Sequence, residues 1–163
     1  MVAGSLVVLT SLAQVAWASR LEVADAYPGL ALVAVVAIAW NIGPRAGLLS
    51  ACAGGLLLDL GSAGPVGPHA LALLAGAYAT GLAARRYETP IVLLVALTAA
   101  LATLLYASVL VALDALFGVS VPPFEAAVRL AVGAAAYNSL LAPFAFVLVR
   151  ALCLGRISRR AQA

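Results

Sequence analysis

Long apolar stretches separated by short polar or Gly/Pro-rich connections make up almost the whole sequence. A membrane-spanning helix needs about 20 mostly apolar residues to cross roughly 30 Å of hydrocarbon. The charges and the Gly/Pro clusters divide the chain into six apolar runs, residues 2–19, 28–42, 46–60, 69–84, 90–113 and 124–152. This pattern predicts an all-α integral membrane protein, a bundle of six short transmembrane helices that forms a single domain over residues 1–163.

The composition favours lipid over water as the surroundings of the chain. Of the 163 residues, 66% are hydrophobic and 9% are charged, whereas soluble domains carry about 25% charged residues. The formal net charge of +3 comes without a basic patch interleaved with aromatic residues, which argues against nucleic acid as a partner. The cysteines, Cys52 and Cys153, have no Cys or His neighbour at metal-ligand spacing and are predicted to be packing residues.

The arginines are distributed unevenly between the two sides that six spans would create. Basic residues near helix ends are retained on the cytoplasmic side of a membrane. One side collects Arg45, Arg85, Arg86, Arg150, Arg156, Arg159 and Arg160, while the other has Arg20 and Arg129 with Glu22, Asp25, Asp114 and Glu125. Both termini are therefore predicted to face the cytoplasm, with the Gly/Pro-rich loop 61–68 on the outer side.

Small residues that could bring helices close together are concentrated in the third and fourth runs. The candidates are Gly47, Ala51, Gly54 and Gly55 in the third run and Gly76 in the fourth. Helices in lipid gain little from the hydrophobic effect, so their close packing depends on such residues. An Ala-rich sequence also produces four-residue spacing by chance, and composition explains any one motif as well as a specific interface does. Taken together, the motifs predict a tight bundle.

Three polar residues are candidates for roles beyond apolar packing. Asp59 is predicted either to act as a relay carboxylate or to accept backbone N–H groups from the Gly/Pro loop. The second interpretation is favoured because a proton pathway normally needs several buried ionisable groups. His69 has no neighbouring metal-ligand motif and is predicted to be structural or interfacial. Asn138 is predicted to hydrogen-bond across helices.

Catalytic and cofactor-binding motifs cannot be assembled from this sequence. It contains no recognisable nucleophile with a base, metal-ligand cluster or carboxylate pair on one predicted span. The glycine pairs do not follow a soluble strand and open a helix, as a nucleotide-binding fingerprint would require. The sequence therefore predicts a non-enzymatic protein without a cofactor or a metal.

An ordered set of motifs in the chain resembles one known family. The set consists of the turn Gly43-Pro44, the stretch 53–59 (AGGLLLD), the loop residues Pro65 and Gly67 before His69, and Asn138 and Pro143 in the last run. In this order they resemble the rod shape-determining protein family MreD over about residues 28–150. Two positions depart from the family pattern: Gly29 stands where an acidic residue is frequent, and Pro68 replaces an apolar residue.

The resemblance implies a non-enzymatic subunit of the bacterial elongation machinery in the inner (cytoplasmic) membrane. It implies direct binding of the bitopic scaffold MreC and, through it, of the cytoskeletal protein MreB, with the polymerase RodA and its penicillin-binding transpeptidase nearby. It also implies a six-span fold similar to the substrate-binding subunits of energy-coupling-factor vitamin transporters. That kinship supplies an alternative, a small-molecule (vitamin-like) binding subunit of a transporter, which would need an outward pocket lined by aromatic and polar side chains. The sequence is poor in both.

Overall fold

A computed structural model describes residues 2–17, 29–62, 64–87 and 91–160, which form six α-helices and no strand. The helices are α1 (Val2–Trp17), α2 (Leu30–Asn41), α3 (Pro44–Gly61), α4 (Pro68–Arg86), α5 (Val92–Leu116) and α6 (Phe124–Arg160). The prediction of an all-α chain is confirmed for these residues. Part of the predicted charge bias lies outside them, namely Arg20, Glu22, Asp25 and the side chains of Arg156, Arg159 and Arg160.

Two of the helices begin with the same Gly-Pro pair. Pro44 opens α3 and Pro68 opens α4, at a position where the missing N–H of proline removes no helical hydrogen bond. The preceding residues, Gly43 and Gly67, have φ angles of 121° and 126°, which L side chains rarely adopt. The Gly-Pro pair therefore makes the tight turn and starts the helix at once, so α3 begins before residue 46.

The last helix continues well beyond the predicted apolar run. That run ends at residue 152, where arginines appear, but α6 extends to Arg160. Arginine is a good helix former, so a basic segment ends the apolar stretch without ending the helix. At 1.5 Å per residue, the 37 residues of α6 measure about 56 Å, longer than the roughly 30 Å of membrane hydrocarbon.

The central element of the bundle is α2. Its residues 31–39 are all buried, and it contacts each of the other five helices. A helix that is apolar on every side is expected to be enclosed in this way. The core around α2 includes Leu73 of α4, Val95 of α5 and Phe146 of α6.

The surface of the bundle is rich in large apolar side chains. Leu116, at the end of α5, is 78% exposed, and Phe124, at the start of α6, is 83% exposed. The segments Val92–Leu116 and Phe124–Cys153 are long and apolar enough to cross a membrane. The apolar segments of α1 and α2 are shorter, Gly4–Ala16 and Leu30–Asn41. These features are consistent with a membrane protein.

Candidate functional site

The carboxylate of Asp59 is buried at the end of α3 and binds the start of α4. Its Oδ1 accepts a hydrogen bond from the backbone N–H of His69 at 2.9 Å, and Oδ2 accepts one from the N–H of Ala70 at 3.2 Å. Nδ1 of His69 lies 3.0 Å from Oδ1, a distance at which a protonated Nδ1 donates. We term these three residues the α3–α4 clamp.

The clamp takes the place of an ordinary helix N-cap. The first N–H groups of a helix have no partner within it, and a Ser, Thr, Asp or Asn side chain at the N-cap usually accepts from them. Gly67 occupies the N-cap of α4 and has no side chain that can do so, so Asp59 supplies the acceptors from the preceding helix. Its negative charge also interacts favourably with the positive end of the α4 dipole. The donors lie in the first turn of α4, just after the loop that the sequence indicated.

The imidazole of His69 extends the clamp towards α5. The side chain of His69 is 28% exposed, and its ring centroid lies 6.4 Å from that of Tyr106, with the ring planes tilted by 57°. This distance is within the range of favourable aromatic pairs. Within the described ranges, no group of three or more His, Cys, Asp or Glu residues is placed to hold a metal ion. The geometry of the clamp is that of a joint between helices.

The small residues of α3 contact two different helices. A Cβ atom added to Gly47 would lie 2.7 Å from Cβ of Ala39 on α2. One added to Gly55 would clash with Cα of Ala70 on α4 and lie 2.7 Å from the backbone nitrogen of that residue. Ala51, between the two glycines, is fully buried in the core. The stripe of small residues therefore joins α3 to α2 at one end and to α4 at the other.

Gly54 and Gly76 mark two further close approaches between helices. A Cβ on Gly54 would lie 2.9 Å from Cγ1 of Val7 on α1. One on Gly76, in α4, would lie 3.0 Å from Cδ1 of Leu32 on α2. Neighbouring residues of a helix point about 100° apart, which is why Gly54 and Gly55 meet different partners.

Asn138 forms a second buried polar centre, on α6. Its side chain is 1% exposed. Oδ1 accepts a hydrogen bond from the N–H of Gly29 at 2.9 Å, and Nδ2 donates to Oγ1 of Thr103 at 3.0 Å. These bonds join α6 to the start of α2 and to α5. Within a bilayer such internal partners are needed because water is not available to replace them.

The remaining candidates shape the backbone. Pro65 and Gly67 lie in the connection between α3 and α4, where the positive φ of Gly67 favours glycine. Pro143 lies half-buried inside α6, where its ring removes one helical hydrogen bond. The candidates that the fold brings together at the α3–α4 junction are Gly55, Asp59 and His69.

A cavity of about 280 Å³ adjoins both polar centres, and residues of all six helices line it. Leu58, the residue before Asp59 in the sequence, forms part of one wall, and Asn138 forms part of another. Tyr106, which pairs with the His69 ring, also lines the cavity. Most of the other lining residues are aliphatic.

An apolar groove of about 250 Å³ is bordered by α1, α2 and α6. We term it the α1–α6 groove. Leu6 and Thr10 contribute from α1. The α6 residues that line it are Leu141, Phe144, Ala145, Leu148 and Val149. Their spacing of three and four residues places them in one stripe along the helix.

Two polar residues with clear roles were not among the sequence-based candidates. Thr103 binds the amide of Asn138, and Oε1 of Gln14 accepts the backbone N–H of Ala31 at 2.9 Å. The available signal was a polar residue inside an apolar run. Gln14 supplies a hydrogen-bond acceptor for an N–H group in the first turn of α2, because the N-cap residue of this helix, Gly29, has no side chain that could accept the bond.

Comparison with protein families gives a match over most of the chain. The family model described as MreD, rod shape-determining protein MreD, matches residues 1–153 of the 163. No curated protein and no solved structure matches the chain. The matched range includes the α3–α4 clamp, the Asn138 centre, the cavity and the α1–α6 groove.

Proposed function

The chain belongs to the MreD family of rod shape-determining proteins, and from this we propose that it binds the scaffold MreC directly as a non-enzymatic subunit of the bacterial rod complex. Proteins of the family are membrane-associated and determine cell shape. In this proposal the chain is a multi-pass protein of the inner membrane and helps to organise peptidoglycan synthesis. RodA, the penicillin-binding transpeptidase and MreB belong to the larger complex.

The proposed topology has six spans, with both termini in the cytoplasm, in a fold similar to the substrate-binding subunits of energy-coupling-factor transporters. A Cβ on Gly81 would lie 3.1 Å from Pro44, so the end of α4 is next to the start of α3. Arg45 and Arg85 are therefore at the same end of the bundle, and Asp59 is at the other end of α3. This separation of charges supports a cytoplasmic position for the arginines.

Cysteine labelling tests this topology. In a variant without the native cysteines, Ser62→Cys is expected to react with a membrane-impermeant maleimide added to intact spheroplasts. Tyr87→Cys is expected to react only after the membrane is permeabilised. Equal labelling of both positions in intact spheroplasts would contradict the proposed orientation.

The α1–α6 groove is the proposed contact surface for MreC, and it is the observation that carries this function. A bitopic partner presents a single helix to the membrane, and helices in lipid associate through van der Waals packing and small residues. Phe144, which is 76% exposed, and Leu148 project from the stripe on α6. Ala145 lies between them and leaves room for the backbone of a partner.

Co-purification with full-length MreC in detergent tests this surface. Phe144→Ala removes a large aromatic side chain from the proposed contact, and truncation of a contributing interface residue is expected to cost ~1–2 kcal/mol. This corresponds to an affinity about tenfold lower. Phe124→Ala is the matched control, because Phe124 is 83% exposed on the same helix and does not line the groove.

Retention of MreC should therefore fall for Phe144→Ala and stay at the wild-type level for Phe124→Ala. Leu148→Ala and Leu140→Ala form a second pair of the same design, since Leu140 is 70% exposed outside the groove. Equal retention within both pairs would exclude the groove as the contact. Failure of the wild-type chain to bind folded MreC at all would refute the proposed function.

The cavity adjoining the two polar centres supports a second candidate function, a small-molecule binding subunit of a transporter. Its volume of about 280 Å³ approaches the size of ligand pockets in proteins, about 300–1,000 Å³. A thermal-shift screen of the purified chain with water-soluble vitamins tests this function. A vitamin that stabilises the chain at micromolar concentration would favour it over scaffold binding.

A further inference from the structure

The cavity extends from the surface of the bundle to its core. Its inner wall is formed by Leu32 of α2 and Leu73 of α4, which are 2% and 1% exposed. Towards the α5–α6 connection the lining residues become half-buried, as at Leu110, and then exposed, as at Pro122. Among the described residues, the lining is therefore exposed at the end where α5 and α6 meet, which is the open end, and buried at the centre of the bundle.

Three of the four polar side chains on the cavity wall, those of Gln14, Thr103 and Asn138, already form hydrogen bonds with other parts of the protein; the fourth is Tyr106. The amide of Asn138 binds Gly29 and Thr103, and the carbonyl oxygen of Gln14 binds the N–H of Ala31. In the described part of the chain, every buried side-chain nitrogen or oxygen has a hydrogen-bond partner. A polar ligand with several hydrogen-bonding groups would leave most of them without partners here, after losing the bonds that they make to water.

Water is also a poor occupant of this space. Apolar cavities of about 150 Å³ stay dry and bind small hydrocarbons, and a buried water needs two to four polar partners. The cavity has the volume of about nine water molecules, at ~30 Å³ each, next to walls that are mostly aliphatic. Its shape and chemistry suit an extended hydrocarbon.

The open end of the cavity adjoins an apolar surface. Leu116 at the end of α5 and Phe124 at the start of α6 are among the most exposed large apolar side chains, and they flank the connection that contains Pro122. Hydrocarbon from a surrounding bilayer would meet this apolar surface. The apolar walls continue inward from there through Leu110, Ala131 and Ala134.

We propose that the cavity binds one acyl chain of a membrane phospholipid, which enters beside the α5–α6 connection and reaches Leu32 and Leu73 with its methyl end. The headgroup stays at the membrane surface. The bound chain fills a space that would otherwise leave core side chains without packing partners. The site is independent of the α1–α6 groove, and no partner protein is required for it.

Photolabelling in liposomes tests this site directly. The full chain is reconstituted in phosphatidylcholine vesicles that contain a phosphatidylcholine with a diazirine at the methyl end of one acyl chain, irradiated and mapped by mass spectrometry. Label is expected on Leu32, Leu58 or Leu73, which surrounding lipid cannot reach from outside because each is at most 5% exposed. Label confined to exposed positions such as Leu101 and Leu140 would overturn the proposal.

Two alanines on opposite faces of α6 provide matched variants. Ala134→Leu fills the cavity and is expected to reduce core labelling at least fivefold, whereas Ala136→Leu adds the same side chain on the exposed face and should leave it unchanged. Ala131→Leu, also on the cavity wall, serves if Ala134→Leu does not fold. Equal core labelling in the cavity variant and in Ala136→Leu would refute the site. Loss of core labelling on addition of a water-soluble vitamin would show that the cavity binds a polar ligand in place of the acyl chain, and would also overturn the proposal.

Discussion

The close contact between α3 and α4 at Gly55 predicts that adding one methyl group there destabilises the bundle. Gly55→Ala places a Cβ that clashes with Cα of Ala70 and lies 2.7 Å from the backbone nitrogen of Ala70. Ordinary van der Waals contacts begin at 3.4 Å, so the two backbones must separate by at least about 0.7 Å. Backbone atoms cannot rotate away as the end of a flexible side chain can, so the helices themselves must move.

The size of the effect follows from two linked contacts. Overpacking of this kind costs ~1–3 kcal/mol, and the better helix propensity of alanine offsets at most ~1 kcal/mol. The same movement draws Ala70 away from the carboxylate of Asp59, whose hydrogen bond is already 3.2 Å long. A hydrogen bond to a charged group contributes ~1.5–3 kcal/mol. The expected net loss is therefore ~2–4 kcal/mol in the free energy of unfolding, or about 4–16 °C in Tm.

Thermal unfolding of the purified protein in detergent measures this loss, and Gly4→Ala is the control. Gly4 also lies in a helix, but a Cβ added there meets nothing within 4 Å. Gly4→Ala is expected to leave the stability unchanged or to raise it by up to ~1 kcal/mol. An ordinary surface substitution changes the free energy of unfolding by about 0.5 kcal/mol or less. If the free energies of unfolding of the two variants agree within this value, the close contact at Gly55 does not exist in the purified protein.

Three further substitutions are expected to lower the thermal stability of the purified chain, each for a different reason. Asp59→Asn leaves one acceptor oxygen for two helix N–H groups and should cost ~1.5–3 kcal/mol. The control Asp114→Asn, at a half-buried residue of α5, should be nearly neutral, and equal effects of the two substitutions would contradict a special role of the clamp. Asn138→Ala should cost ~1 kcal/mol, as for interhelical hydrogen bonds in membranes, and an unchanged Tm would show that the amide contributes nothing. Gly67→Ala should cost ~1–3 kcal/mol because Gly67 has a φ of 126°. The control Gly64→Ala, in the same connection, should have little effect, and a loss of stability in both variants would point to loop packing instead.

The helices themselves could be predicted because their signals are local. Gly-Pro pairs such as Gly43-Pro44 interrupt the apolar runs, and the same pairs start the helices in the structure. The continuation of α6 to Arg160 was not predictable from the apolar pattern, because a basic helix lacks the apolar signal that defined the run. Charge marks where a segment leaves apolar surroundings, and helix formation depends on different properties of the residues.

The arrangement of the helices could not be predicted in the same way. Both α2 and α5 are apolar on all sides, yet residues 31–39 of α2 are buried while Leu93, Leu97 and Leu101 of α5 are exposed. When the surface and the core of a bundle are both apolar, hydrophobic periodicity no longer separates an outward face from an inward one. The small residues indicated close packing, but their partners depend on the arrangement, as the separate contacts of Gly54 and Gly55 show.

The polar residues acquire their roles from the places where glycine opens a helix. Gly67 is required by its φ angle and Gly29 by the nearby amide of Asn138, which would lie 2.9 Å from an added Cβ. Each glycine leaves the first N–H groups of its helix without a local cap, and Asp59 and Gln14 supply the acceptors from other helices. In lipid, water cannot take over when such a contact is broken. The starts of α4 and α2 are therefore satisfied only when α3 and α1 are in place, so these two contacts favour cooperative assembly of the bundle over independent formation of its helices.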